Sequence, residues 1–209
     1  SWGGVMVQHS GGEYLQVFGI ERIELHGDAG NDRFYGSDGL AVMTTLELDI
    51  DGGPGDDVLS GGDGDDMLRG GDGRDQFWGH EGDDLLIGGP GDDWFIWIEL
   101  DGFDGSDTVD GDDGDDLLQV ALDHTSGDNV SIVPNGSRVE IKRGNLIPFV
   151  LDVGTVETID VRGDGGGDVI LGSPGYANVS LELHGNDGND FLVGGDGSDE
   201  LWGWDGDDT

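Results

Sequence analysis

The sequence predicts an all-β protein in which short strands and tight turns repeat along the chain. Three observations support this: a nine-residue period runs unbroken over residues 52–96, a large apolar residue stands at the eighth place of each block, and 44 of 209 residues are glycine. A fixed short period is typical of solenoids, in which each repeat packs against its neighbours. Places seven to nine are expected to be extended, with the eighth side chain pointing inward.

The same frame returns outside this first array. Its five consecutive blocks carry Leu59, Leu68, Phe77, Leu86 and Phe95 at the eighth place. Further blocks occupy residues 27–35, 102–110, 111–119, 163–171, 185–193 and 194–202, and a last block from residue 203 stops before its eighth place. About half of the chain therefore follows one pattern.

The turn of each block has glycine at the first and fourth places and aspartate at the sixth. Glycine permits positive φ and close packing of carbonyl groups, so the turn is expected to present several backbone oxygens beside one carboxylate. Oxygen ligands in a flexible arrangement suit calcium. The chain has 47 Asp and Glu against 8 Lys and Arg, a net charge of −39, so a cation is needed before it can become compact.

These blocks resemble the GGxGxDxUx nonapeptide of the RTX (repeats-in-toxin) family, also called the hemolysin-type calcium-binding repeat. The resemblance implies a right-handed parallel β-roll, a form of β-helix, with two nonapeptides per coil. It also implies that calcium lies between block n and block n+2, bound by two sixth-place aspartates and by backbone carbonyls. Members are typically exported by a type I secretion system.

Carried over by position, the resemblance gives a set of calcium ligands and about six to ten ions. The sixth-place residues are Asp32, Asp57, Asp66, Asp75, Asp84, Asp93, Asp107, Asp116, Asp168, Asp190, Asp199 and Asp208. The turn glycines of the first array are Gly52, Gly55, Gly61, Gly64, Gly70, Gly73, Gly79, Gly82, Gly88 and Gly91. The expected pairs on one side of a coil are Asp57/Asp75, Asp66/Asp84, Asp75/Asp93, Asp84/Asp107, Asp93/Asp116, Asp32/Asp57, Asp168/Asp190 and Asp190/Asp208. Blocks 36–44 and 172–180 have Ala41 and Ala177 at the sixth place, so these turns are expected to lack calcium.

A larger duplication organises the chain. Residues 20–44 and 156–180 align without gaps and share ten identities, which predicts two copies of one unit with the second cut short. We expect a strand-rich cap at 1–26, a first roll at 27–119, a strand-rich spacer at 120–162 and a second roll at 163–209. Asn135-Gly136 lies between two alternating segments and predicts a β-hairpin inside the spacer.

The composition excludes several function classes. Eight scattered cations cannot form the basic surface that nucleic acid requires, and an anionic membrane would repel the chain. There is no cysteine, no HExxH motif and no residue that we nominate as catalytic. His26 and His184 are expected at outward surface positions. Outward tryptophans, among them Trp94, Trp97 and Trp204, give weak support for carbohydrate binding.

The leading hypothesis is a non-enzymatic calcium-binding module of a secreted or surface-attached bacterial protein, of the adhesin or toxin type. Such a module folds on external calcium and contacts neighbouring repeat modules of its own chain, without membrane insertion. The alternative is an accessory roll of a secreted protease, lipase or alginate epimerase whose catalytic domain lies outside this sequence.

Overall fold

The computed structural model describes residues 22–36, 46–98, 105–122, 127–144, 149–176 and 178–209, together with the backbone of two strands near the start. Within these ranges the chain forms strands joined by turns. Among the same residues no helix is long and apolar enough to cross a membrane. The chain divides into two compact units, one of residues 1–96 and 104–114 and the other of residues 97–103 and 115–209.

Most strands of the first unit are short and alternate between two parallel sheets. In chain order they are β1 (Val5–Gln8), β2 (Tyr14–Val17), β3 (Arg22–His26), β4 (Arg33–Tyr35), β5 (Glu47–Asp51), β6 (Val58–Ser60), β7 (Met67–Arg69), β8 (Gln76–Trp78), β9 (Leu85–Pro90), β10 (Trp94–Ile98) and β11 (Ser106–Asp113). Strands β3, β5, β7, β9 and β11 form one sheet, β4, β6, β8 and β10 form the other, and β1 and β2 are an antiparallel pair.

Paired strands in the first array are separated by eighteen residues, which is two nonapeptides. Leu59 pairs with Phe77, and Leu68 pairs with Leu86. Each coil therefore contains two blocks, one strand to each sheet. The prediction of an all-β parallel β-roll is confirmed.

The eighth-place side chains form the core of this unit, as expected. Leu59, Leu68, Phe77 and Phe95 are fully buried, and Leu86 is 5% exposed. The rings of Phe77 and Phe95 stack with centroids 4.7 Å apart. The core is one layer of apolar side chains between two sheets, so each side chain contributes a large share of the buried apolar area.

The second unit combines parallel coils with an antiparallel segment. Its strands are β12 (Leu117–Ala121), β13 (Asn129–Asn135), β14 (Arg138–Arg143), β15 (Val150–Gly154), β16 (Thr158–Arg162), β17 (Val169–Gly172), β18 (Ser180–Asp187), β19 (Phe191–Val193) and β20 (Glu200–Asp205). One sheet has the order β12-β16-β18-β20, all parallel. The other has the order β15-β14-β13-β17-β19, in which β13, β14 and β15 are antiparallel neighbours.

The hairpin predicted at Asn135-Gly136 is present. Strands β13 and β14 pair antiparallel, with Asn135 opposite Arg138. Gly136 has φ of 69°, a left-handed conformation that glycine adopts without steric cost. The domain boundaries expected from the sequence stay a prediction.

Candidate metal centres in the turns

Most of the sixth-place aspartates lie inside the turns and not on the surface. Nine of them are at most 3% exposed: Asp57, Asp66, Asp75, Asp84, Asp93, Asp107, Asp116, Asp168 and Asp190. Asp32 and Asp199 are half-buried and Asp208 is exposed. Burying a carboxylate away from water is costly unless a cation or hydrogen bonds compensate its charge. The turns therefore require a compensating group.

In most of these aspartates one carboxylate oxygen accepts a hydrogen bond from a backbone amide. Oδ1 of Asp75 accepts a hydrogen bond from the amide of Asp57 at 2.7 Å, and Oδ1 of Asp93 accepts one from the amide of Asp75 at 2.9 Å. The same bond joins Asp66 to Asp84, Asp84 to Asp107, Asp32 to Asp57, Asp168 to Asp190 and Asp190 to Asp208, at 2.6–3.0 Å. Seven expected pairs are thus adjacent, in two stacks of the first unit and one stack of the second. The pair Asp93/Asp116 stays a prediction, as does calcium ligation by all of them.

The second oxygen lacks such a bond at several of these positions. Oδ2 is buried and without a hydrogen-bond partner in Asp32, Asp57, Asp66, Asp75, Asp84, Asp168 and Asp190. A buried polar atom without a partner is uncommon in folded proteins and calls for an explanation such as an ion. A divalent cation with oxygen ligands fits this arrangement, because it accepts both the carboxylate and nearby carbonyl oxygens.

The first-place glycines are required by close approach and not by backbone angle, which corrects the sequence interpretation. At Gly52, Gly61, Gly70, Gly79 and Gly88 an added Cβ would collide with Oδ2 of the aspartate in the same block. At Gly61 it would also lie 2.8 Å from the carbonyl oxygen of Gly79. A side chain here would fill the space beside the carboxylate where an ion would bind.

The fourth-place glycines have the positive φ that was expected. Their φ values are 154° at Gly55, 139° at Gly64, 142° at Gly73, 134° at Gly82 and 148° at Gly91. The second place of the turn is also left-handed. In the block that begins at residue 79 this place holds His80 at φ 73°, and in the block that begins at residue 185 it holds Asn186 at φ 68°. Only a few non-glycine residues tolerate this conformation, with Asn, Asp and His enriched.

Burial raises the pKa of several of these carboxyl groups from the usual 3.8. The pKa of Asp66 rises to about 7 and that of Asp168 to about 7, in both cases chiefly because burial penalises the charged form. Burial, reinforced by the nearby charge of Asp107, raises the pKa of Asp84 to about 9. Without a cation, Asp84 therefore favours the protonated state near neutral pH, and Asp66 and Asp168 are partly protonated there.

A pH dependence of calcium binding follows from these pKa values. Because calcium binds the ionised carboxylate, protons compete with it, and the calcium midpoint for folding should rise several-fold between pH 8 and pH 6. The raised pKa values also affect the stability of the calcium-free fold. Because the folded state binds protons more tightly than the unfolded chain, protonation stabilises the calcium-free fold fully below pH 3.8. This stabilisation is lost as the pH rises through the raised pKa values. Calcium titrations followed by circular dichroism at three pH values test this, and a midpoint that does not move would contradict it.

Two further acidic side chains occupy sixth-place positions that the sequence pattern did not predict. The amide of Asp128 donates to Oδ1 of Asp168 at 2.6 Å, and the amide of Asp116 donates to Oε2 of Glu157 at 3.0 Å. Neither lies in a block with glycine at both the first and fourth places. The available signal was the apolar alternation that follows each of them, such as Val130 and Ile132.

Leucine replaces the aspartate in two other turns. The amide of Leu48 donates to Oδ1 of Asp66, and the amide of Leu181 donates to Oδ1 of Asp199, at 2.7 and 3.0 Å. These turns cannot supply a carboxylate to their stack. Ala41 and Ala177 lie outside the described residues, so the expectation that their turns lack calcium stays a prediction.

Outside the turns, Asp160, Glu182 and His184 bring three ligand-type atoms within 4.8 Å of one another on the outer face of β16 and β18. Arg162 donates to Oδ2 of Asp160 from Nε at 3.0 Å and from Nη2 at 2.6 Å. The His184 ring stacks on Trp202, with centroids 4.5 Å apart. Asp160 is thus ion-paired with Arg162, and Nε2 of His184 lies 3.5 Å from its Oδ1. His184 was expected at a plain outward surface position, but its side chain packs on Trp202 and is only 17% exposed. His26 has a side chain that is 66% exposed, as expected.

The tryptophans do not all face outward. Trp97 is 9% exposed and packs on Phe149, with ring centroids 4.1 Å apart. Trp204 is 67% exposed and Trp94 is 36% exposed. A sugar-stacking surface that includes Trp97 is therefore excluded, and the structure gives no further support to carbohydrate binding.

Comparison with protein families agrees with this geometry. A family model described as RTX calcium-binding nonapeptide repeat (4 copies) matches residues 24–39, 49–77, 60–95, 99–119 and 183–209. These segments together cover more than half of the chain. No curated protein matches the chain.

Proposed function

The chain belongs to the family of RTX calcium-binding nonapeptide repeats, and from this premise we propose that it is a non-enzymatic module of a secreted bacterial protein that folds on external calcium. The observation that supports this proposal is the set of buried Oδ2 atoms that lie beside the first-place glycines and lack a hydrogen-bond partner. Each stands where one cation can compensate a charge that the fold has removed from water.

We infer that one calcium ion binds between each pair of stacked sixth-place aspartates. Seven such pairs are described within the two units, in keeping with a total of about six to ten ions. The proposed ligands are the ten aspartates of these pairs together with carbonyl oxygens of the turn glycines, and Asp116 and Asp199 complete the set expected from the sequence. Sites that include Asp199 or Asp208 are expected to be weaker, because these residues are less buried.

Dependence on external calcium supports secretion. Extracellular calcium modules commonly bind in the range of ~10⁻⁴–10⁻³ M, so the submicromolar calcium inside a cell would leave the chain extended for export. The net charge of −39 opposes collapse until ions bind. A module of an adhesin or toxin-type exoprotein fits this behaviour.

An accessory roll of a secreted enzyme is the second candidate, since folding on calcium after export would serve that role equally. The duplicated unit favours a long repetitive surface protein over a single enzyme tail. The complete sequence of the parent protein separates the two, because an enzyme would carry a catalytic domain beside these repeats.

Circular dichroism in chelator and then in millimolar calcium tests the proposal. We expect a mostly disordered spectrum in chelator and a severalfold gain of strand signal with calcium, since ion binding supplies the free energy of folding. Magnesium at the same concentration is the control, because it prefers a stricter octahedral geometry and should fold the chain less well. A full strand spectrum in chelator would refute the proposal.

A further inference from the structure

The turn at Asp128 contains a cation supplied by the protein itself. Nε of Arg143 donates to Oδ1 of Asp128 at 2.7 Å, and Nη2 lies 2.5 Å from the same oxygen. The Arg143 side chain is 1% exposed and that of Asp128 is fully buried. A guanidinium in this position remains charged at all physiological pH values.

Asp128 occupies the same place in its stack as the calcium-ligand candidates do in theirs. Its amide donates to Oδ1 of Asp168, as the amide of Asp57 donates to Oδ1 of Asp75. Its carbonyl accepts the amide of Val169, as the carbonyl of Asp57 accepts that of Gln76. Backbone and carboxylate therefore follow the pattern of the other turns, and the partner of the carboxylate differs.

The contrast lies in what donates to Oδ1 of each carboxylate. In Asp168 and Asp190, the next members of the stack, Oδ1 accepts the backbone amide of the preceding member, Asp128 and Asp168 respectively. Oδ1 of Asp128 instead accepts Nε of Arg143, and this buried ion pair compensates the carboxylate without an ion from solution. Arg143 therefore stands where the amide of a preceding coil would donate, at the end of the stack.

The position of Arg143 is fixed by the antiparallel segment. Arg143 ends β14 and lies opposite Val130 of β13, and the amide of Gly144 bonds to the carbonyl of Asn129. Ile132, Ile141 and Leu151 of the three antiparallel strands are fully buried. Three strands with an apolar face are close to the smallest sheet that is stable by itself.

We propose that Arg143 caps the stack at Asp128 in place of a preceding coil, so that residues 127–144 and 149–161 form a calcium-independent end on which the coils that follow Asp168 assemble when calcium binds. This inference rests on the proposed function, because it assigns the calcium-dependent part of folding to the stack that follows Asp168. The antiparallel strands are then folded before calcium binds, and the first calcium-dependent coil pairs with them through β13 and β17.

Hydrogen exchange of the full chain in chelator tests the proposal. Amides of β13 and β14 should be protected in the native sequence and exchange at least about tenfold faster in Arg143→Met, because removing one partner leaves a buried charge uncompensated. The double variant Arg143→Met/Asp128→Asn removes both charges and should recover protection. The control is Arg138→Met on the same strand, whose partner Asp152 lies 3.1 Å away at a partly exposed site; it should leave protection nearly unchanged.

The number of bound calcium ions gives an independent readout. The double variant should bind the same number as the native chain in millimolar calcium. The loss of one ion would show that Asp128 is a calcium ligand and would overturn the inference. So would a native chain that calcium folds fully but whose β13 and β14 are unprotected in chelator. Protection of residues 163–209 in chelator would instead contradict the proposed function, so the two failures are distinguishable.

Discussion

Asp75→Ala should lower the number of bound calcium ions by up to two and raise the calcium midpoint for folding. Asp75 lies inside a stack of four aspartates, with its amide bonded to Oδ1 of Asp93 and its own Oδ1 bonded to the amide of Asp57. It is fully buried. If each ion binds between stacked aspartates, the substitution removes a ligand from two ions at once.

The loss should exceed that of an ordinary ligand because the neighbours are also acidic. Without the ion, Asp57 and Asp93 remain buried with less compensation for their charge, and an uncompensated buried charge typically costs about 3–5 kcal/mol. Higher calcium can offset the loss only while the altered sites still form. The expected effect is therefore a smaller number of bound calcium ions together with a higher calcium midpoint for folding.

Isothermal titration calorimetry with calcium measures both quantities. Asp72→Ala is the matched control, since it removes one carboxylate from an exposed place in the same turn. Its ion count should equal that of the native chain. If Asp75→Ala kept the native count, the assignment of the sixth-place aspartates as shared ligands would be wrong.

The sequence predicted the repeating part of the structure because each block has the same residue types at the same places. The eighth-place residues, such as Leu59 and Phe77, are buried as their period indicated. The sixth-place aspartates are buried together, because the two-block coil brings every second one into contact. The resemblance to a known family supplied the two-block coil, which the period alone does not determine.

What could not be predicted depends on contacts between distant residues. Asp128 lies in a stretch without the turn glycines, and its place in the stack follows from pairing of β13 with β17, forty residues apart at Asp168. Arg143 reaches it only because the hairpin folds back. The role of the first-place glycines was also hidden, since composition does not distinguish a glycine required by φ from one required by close approach.

Phe77→Ala should destabilise the roll without removing a calcium site. Phe77 is fully buried, stacks on Phe95 with centroids 4.7 Å apart, and pairs with Leu59 on its other side. Deleting a buried phenylalanine side chain typically costs about 3–5 kcal/mol, from lost burial and from the cavity that remains. The cavity here interrupts a single apolar layer, so few neighbouring side chains are available to fill it.

Because folding and calcium binding are coupled, this loss should appear as a higher calcium midpoint. If about four ions bind as the chain folds, a destabilisation of roughly 4 kcal/mol is shared among four binding events. A calcium concentration about fivefold higher then restores folding by mass action, so the midpoint rises by that factor. The number of ions at saturation should be unchanged, because every carboxylate of the stack remains. Titration followed by calorimetry and circular dichroism measures both, with Gln76→Ala on the outward side of the same strand as the control. A lower ion count in Phe77→Ala would mean that the core and the ion sites are not separable, whereas an unchanged midpoint would mean that the apolar layer contributes little to the calcium-bound fold.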